Sequence, residues 1–176
     1  MKKSVLLLFF SGCVATGIFG IGRKIPMNRV NDLGQREGYW RDSVGGGFVY
    51  DLYYKGGKKD GLYKRFYRNK LFLFGEYTAD NISGTWYMFG DEGELRCTID
   101  SIELNKDSIY TGYCRIFCKY KCYCADYYPS GAVKSEGYMV CDEDFMVDFW
   151  EIGEWKYYDE SGNLIKTKDY GDRRTP

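Results

Sequence analysis

Between residue 32 and the end of the chain no segment carries a helical period. Apolar positions fall two apart in short runs, broken by Gly, Asn and acidic residues. Residues 153–164 read GEWKYYDESGNL. Trp155 and Tyr157 share one face of an extended strand there, and Tyr158 takes the other. Asp159-Glu160-Ser161-Gly162-Asn163 supplies a turn, with Gly162 suited to a positive φ. Leu164-Ile165-Lys166-Thr167 then resumes the extended pattern, so the unit is a β-hairpin. Turns are also expected at Asp91-Glu92-Gly93-Glu94, Arg68-Asn69-Lys70 and Lys55-Gly56-Gly57-Lys58.

The hairpin phrase is written twice. Residues 84–95 read GTWYMFGDEGEL, so Gly84, Trp86, Phe89, Gly93 and Leu95 match Gly153, Trp155, Tyr158, Gly162 and Leu164. Gly38, followed by Trp40, stands 23 residues before Gly61, which stands 23 before Gly84. A worn copy, YYPSGAV, occupies residues 127–133, and residues 103–126 carry no clear unit. A period of this length signals repeat architecture. A lone hairpin cannot bury its apolar face, whereas stacked hairpins can. The expected fold is all-β: an antiparallel hairpin-repeat meander of about ten to twelve strands, forming an elongated, twisted, curved sheet. Aromatics should ladder along one face, with glycines at turns or close backbone approaches. This domain is expected over residues 32–172, followed by a short tail at 173–176.

The pattern GxWxxYxxxGxL resembles the variant MORN repeat, the bacterial form found in the YwqK-like antitoxin-component repeat family. The resemblance spans roughly residues 36–171. It implies single-sheet hairpin repeats with protein–protein or surface-associated roles, and an antitoxin-like partner protein is one such role.

The opening MKKSVLLLFFSGC has two lysines, an apolar run and small residues before Cys13. It resembles a bacterial lipoprotein signal, which implies a leader over residues 1–12, lipidation of Cys13 and a tether over 13–31. Two alternatives stand beside it. Ser4 to Gly22 lacks charge, so it suits a membrane anchor to about residue 22. Ala15-Thr16-Gly17 suits an ordinary cleavage site and a secreted or periplasmic product. Each takes the chain to or across a membrane.

Composition narrows the chemistry. The 176 residues include 18 Tyr, 11 Phe, 4 Trp and 22 Gly but only 3 Pro, which suits short strands and tight turns. Twenty-five basic and 25 acidic residues balance, so a nucleic-acid partner is not expected. There is no His, which removes imidazole general bases, His metal ligands and His-dependent triads. No phosphate loop, dinucleotide glycine pattern or nucleophile elbow is present. No catalytic residue, cofactor or metal is assigned.

Two stretches stand outside the repeat. In YCRIFCKYKCYC, Cys114, Cys118, Cys122 and Cys124 hold even positions, so a single strand would place all four on one face with Ile116 and Tyr120. With Cys97 and Cys141 they make six cysteines besides Cys13. These are read as buried core thiols or as disulfides, with their pairing left open. A four-thiolate zinc site lacks the paired CxxC knuckles that would mark it. Residues 55–70 hold seven basic residues and one acid. Lys58, Lys59, Tyr63, Lys64, Arg65, Tyr67 and Arg68 form a candidate basic-aromatic surface, or a solvated strand whose rings are core. Residues 142–154 hold six acids without a calcium-loop spacing.

The functional expectation is a non-enzymatic cell-envelope module that binds a protein partner and meets the membrane through an N-terminal lipid. The alternatives are a carbohydrate-binding or adhesive lipoprotein using exposed Tyr and Trp, and an antitoxin-like partner. Exposed rings would support sugar stacking; buried rings would take away its main support.

Overall fold

The computed structural model describes residues 26–106, 118–142 and 149–171. Cys13, Cys114, the leader, residues 13–25 of the expected tether and the tail lie outside these residues. Eleven strands follow in chain order: β1 (Arg29–Val30), β2 (Arg36–Gly45), β3 (Phe48–Lys55), β4 (Lys58–Tyr67), β5 (Lys70–Thr78), β6 (Asn81–Phe89), β7 (Leu95–Leu104), β8 (Tyr120–Tyr127), β9 (Val133–Cys141), β10 (Phe149–Tyr158) and β11 (Leu164–Asp169). Each pairs antiparallel with its sequence neighbour, making one open sheet in the order β1 to β11. The all-β hairpin meander expected from the repeat is the fold. β1 lies in the stretch read as a tether. It pairs with Arg36 and Glu37, and the Asn28 N–H beside it donates to the Tyr39 carbonyl at 2.8 Å.

Two turn chemistries join the strands. Gly56-Gly57, Arg68-Asn69 and Ala79-Asp80 each place both residues at positive φ. That is the two-residue geometry whose twist matches the flanking strands. The second is a five-residue loop found at 31–35, 90–94, 128–132 and 159–163. In each, the first N–H donates to the fifth carbonyl and the fourth N–H donates to the first carbonyl. The fourth residue is always Gly, with φ between 72° and 85°. The loop at 31–35 (NDLGQ) was not expected from the sequence. Phe89 pairs with Leu95, and Tyr158 with Leu164, so the last two aromatic and aliphatic positions of the phrase close its hairpin.

The glycine that opens the phrase sits inside a strand. The register of β5 against β6 breaks between Phe74 and Glu76, and that of β9 against β10 breaks between Ile152 and Lys156. Gly84 and Gly153 lie in these bulges at φ 64° and 59°, and such bulges sharpen the local twist. Two residues later the indole folds back over a glycine of the preceding strand. A Cβ at Gly75 would lie 2.1 Å from the Trp86 ring, and one at Gly137 would lie 2.5 Å from Trp155. Trp86 and Trp155 are buried, and their Nε1–H groups donate to the Ser83 and Tyr138 carbonyls at 3.1 and 2.7 Å.

Most apolar burial runs along one face, and a smaller cluster of Cys118, Val140 and Ile152 lies apart from it. Leu52, Leu73, Trp86, Ile99, Cys122, Met139 and Trp155 belong to one continuous cluster. Among the described residues no second layer covers it. Cationic side chains lie over rings instead, as Arg36 does over Trp40 at 4.3 Å and Lys168 over Tyr170 at 4.0 Å. Their aliphatic stems shield the aromatic surface while the charged ends reach water.

Candidate functional site

The cysteines converge on that face across β7, β8 and β9. On β8, Tyr120, Cys122 and Cys124 alternate with Lys121 and Tyr123, and the first three are buried. Ile99 stands opposite Cys124, so Cys97, two residues earlier on β7, reaches Cys124 diagonally with Sγ atoms 3.3 Å apart. Cys141 stands opposite Tyr120 on β9 and reaches Cys122 in the same way, at 3.5 Å. One diagonal geometry therefore occurs twice on adjacent strand pairs.

Cys118 does not share this face. β8 begins at Tyr120, and Cys118 packs with Val140 and Ile152. Val140 lies between Met139 and Cys141 on β9, so it points to the opposite side of the sheet. The Asn105 side-chain amide holds the Cys118 carbonyl at 2.8 Å, and the Asn105 N–H donates to the Lys119 carbonyl. These bonds fix the chain where the two-residue period has not yet begun. The single-face expectation therefore fails for Cys118.

A cleft of about 370 Å³ opens on the thiol face, with Met88, Met139 and Trp155 in its walls and Cys97, Cys124 and Asp126 among its lining. Ser135 donates its hydroxyl to Asp126 at 3.0 Å. One donor atom each from Cys97, Cys124 and Asp126 lies within 4.8 Å of the others, a set with the chemistry to hold a thiophilic divalent cation. Cys97 and Cys122 are held in the protonated, poorly nucleophilic form. The hydrogen bond to Cys124, then burial, pushes the Cys97 thiol far above its ordinary range. The bond to Cys141, then burial, does the same to Cys122. Nucleophilic cysteines need the reverse, a stabilised thiolate.

The basic-aromatic stretch is split between faces. Lys59, Tyr63, Arg65 and Tyr67 stand opposite Tyr54, Leu52, Tyr50 and Phe48, all on the core side, whereas Lys64 faces Asp51 on the other side. Lys59 Nζ lies 4.6 Å above the Tyr77 ring, and Arg65 Cζ lies 4.6 Å above Phe48. Arg68 lies over Tyr67, and Lys58 is exposed at the turn. The stretch is thus divided between lid and solvent rather than gathered into one basic surface.

The opposite face carries ring pairs at T-shaped angles, Tyr39 with Tyr53 and Tyr123 with Tyr138. Beside the second pair, Tyr158 donates its hydroxyl to Glu136 at 2.7 Å. That bond, then burial, raises the Tyr158 phenol, and burial followed by Glu136 raises Tyr123. Trp40, read as a repeat position, is half-buried beneath Arg36 on the core face. Comparison with protein-family models, with curated proteins and with solved structures finds no match.

Proposed function

We propose that this protein is a non-enzymatic binding module of the bacterial cell envelope, anchored through Cys13, that engages another protein at the β11 end of its sheet. One observation carries the docking reading: all six residues of β11 are exposed, and its outer edge has no further strand among the described residues. Open edges of this kind accept a strand from a partner. Lysines on an edge commonly guard against such pairing. Here Lys166 lies 4.5 Å over Tyr157 and Lys168 lies over Tyr170, so both are drawn onto the core face. Leu164 and Ile165 are exposed beside them, at 55% and 62%. The repeat phrase supports the same reading through its resemblance to variant MORN modules.

Sugar stacking has less to draw on. Trp86 and Trp155 are buried and Trp40 lies under Arg36, while exposed Tyr39 and Tyr138 are locked edge-to-face with their neighbours.

Photo-crosslinkers at Ile165 and, as a control, at mid-sheet Phe74 test the edge in native envelopes. A discrete adduct at position 165, absent at 74 and lost when Leu164→Lys is added, is the expected result. Equal labelling at both positions would remove the edge reading. Incorporation of a fatty-acid analogue, abolished by Cys13→Ser, tests the anchor separately.

A further inference from the structure

We propose that Cys97–Cys124 and Cys122–Cys141 are the oxidisable pairs of this protein, and that they close into two cross-strand disulfides, the first through the open cleft. The pairing follows from strand geometry. Successive side chains on one face of a strand are about 6.6–6.8 Å apart, whereas bridged Cβ atoms lie about 3.8 Å apart. Cys122 and Cys124 are such same-strand neighbours, so they do not bridge each other. Cys97 stands opposite Asp126 and Cys141 opposite Tyr120. Cys97 to Cys122 and Cys124 to Cys141 are therefore each displaced by four residues along the strand. Among the described cysteines, only the two diagonal pairs bring sulfur to sulfur, at 3.3 and 3.5 Å. Diagonal neighbours stand about 7–8 Å apart, so closing to a bond of about 2.05 Å draws the paired strands together as well as turning the side chains, which the fixed spacing along a single strand does not allow.

The two pairs differ in access. Cys97 and Cys124 are 7% and 6% exposed and line the cleft, whereas Cys122 and Cys141 are both at 0%. The oxidant is a disulfide, either a small molecule or a protein. The Cys97 or Cys124 thiol loses a proton and its thiolate attacks one sulfur of that disulfide, releasing the other as a thiolate. The second cysteine, deprotonated in turn, attacks the protein sulfur of the mixed disulfide. The protein bond forms, the oxidant leaves as a dithiol or as two thiols, and two electrons pass to it. Cys97 and Cys122 are held in their protonated forms by the hydrogen bonds to their partners and by burial, which slows exchange on the folded chain. Cys122–Cys141 needs the sheet open, so it closes during folding or after local unfolding.

The full chain, reduced and then either refolded or kept folded in oxidised glutathione, is alkylated and mapped without reduction. The refolded sample should yield the peptide pairs containing Cys97 with Cys124 and Cys122 with Cys141. The folded sample should yield the first pair alone. On adding reductant to the doubly bridged protein, Cys97–Cys124 should open at least about tenfold faster, since the other pair waits for local unfolding. A Cys97→Ala/Cys124→Ala variant should keep the Cys122–Cys141 bridge on refolding. A bridge between any other partners overturns the proposal, and so do thiols that all remain alkylatable after oxidative refolding. Stoichiometric zinc that blocks alkylation of Cys97 and Cys124 while oxidised glutathione leaves them unbridged also overturns it, in favour of a metal site with Asp126.

Discussion

Gly75 and Gly137 are glycine for lack of room, whereas Gly84 and Gly153 are glycine for backbone shape. The difference is measurable. Gly137→Ala drives a methyl into the Trp155 indole and should cost about 1–3 kcal/mol as overpacking. Gly84→Ala meets open space apart from a Glu76 oxygen at 3.8 Å, but forces a side chain to φ 64°, for about 1–2 kcal/mol. Urea midpoints at unchanged slope should show both losses. Trp→Phe at position 155 should relieve only the first, because only the first is a clash with the indole. The thiols give a pH signature. Cys97 and Cys122 are raised in the folded chain. Their contribution is complete below the unfolded thiol value of about 8.5 and is lost as pH rises above it. Reduced protein should therefore lose stability from pH 8 to 10 in urea titrations. Chain carrying both bridges should lack this decline, since it has no paired thiol left to ionise. Tyr157, raised by burial and then by its 2.7 Å bond to the Tyr170 hydroxyl, has the same sign and adds a loss only above the ordinary phenol value of about 10.

Hairpins are where the chain's local chemistry and its fold agree most closely, and one turn departs from ideal. Ala79 and Asp80 occupy the two positive-φ positions between β5 and β6. Asp80 is useful there, since its Oδ1 accepts the Lys59 N–H at 2.8 Å. Ala79 has no such compensation from its side chain. Ala79→Gly should stabilise the protein by about 0.5–1 kcal/mol, seen as a raised melting temperature. Elements of this kind were legible because turn residues act within a few positions of themselves. Gly56-Gly57, Arg68-Asn69 and the Asp-rich Gly loops declare their turns in the text. The partners of Trp86 and Trp155 do not. Gly75 and Gly137 precede their tryptophans by unequal lengths of chain, set by how long each intervening hairpin is, so no fixed offset marks them. Cys118 was misplaced for a related reason. Even spacing assigns a face only while the strand lasts, and Asn105 holds the chain before β8 starts. The thiol pairs needed the registers of β7, β8 and β9 together, which no single stretch of sequence contains. The basic-aromatic run leaves two readings open in the sequence, a surface or a solvated strand with core rings, and only the pairing of β3 with β4 says which side chains turn inward.

At the scale of the molecule, a sheet with no second layer among the described residues depends on how well one face covers itself. Trp over glycine, ring against ring and cation over ring achieve this in successive hairpins. The edge at β11 is where that pattern ends with backbone exposed, which is why the docking test is placed there rather than at either sheet face. Ile165→Lys should leave the melting temperature nearly unchanged, because exposed substitutions away from special features cost within about 0.5 kcal/mol, while weakening co-purification of the partner from native envelopes. Spatial order and chain order are identical from β1 to β11, so the two ends of the sheet are its two opposite edges. Tension applied between them runs across the strands rather than along them. It would load one hairpin's hydrogen bonds at a time, and the molecule would lengthen in small steps at low force, like a zip drawn from both ends. With the two proposed bridges closed, the segment from Cys97 to Cys141 would be the part that resists.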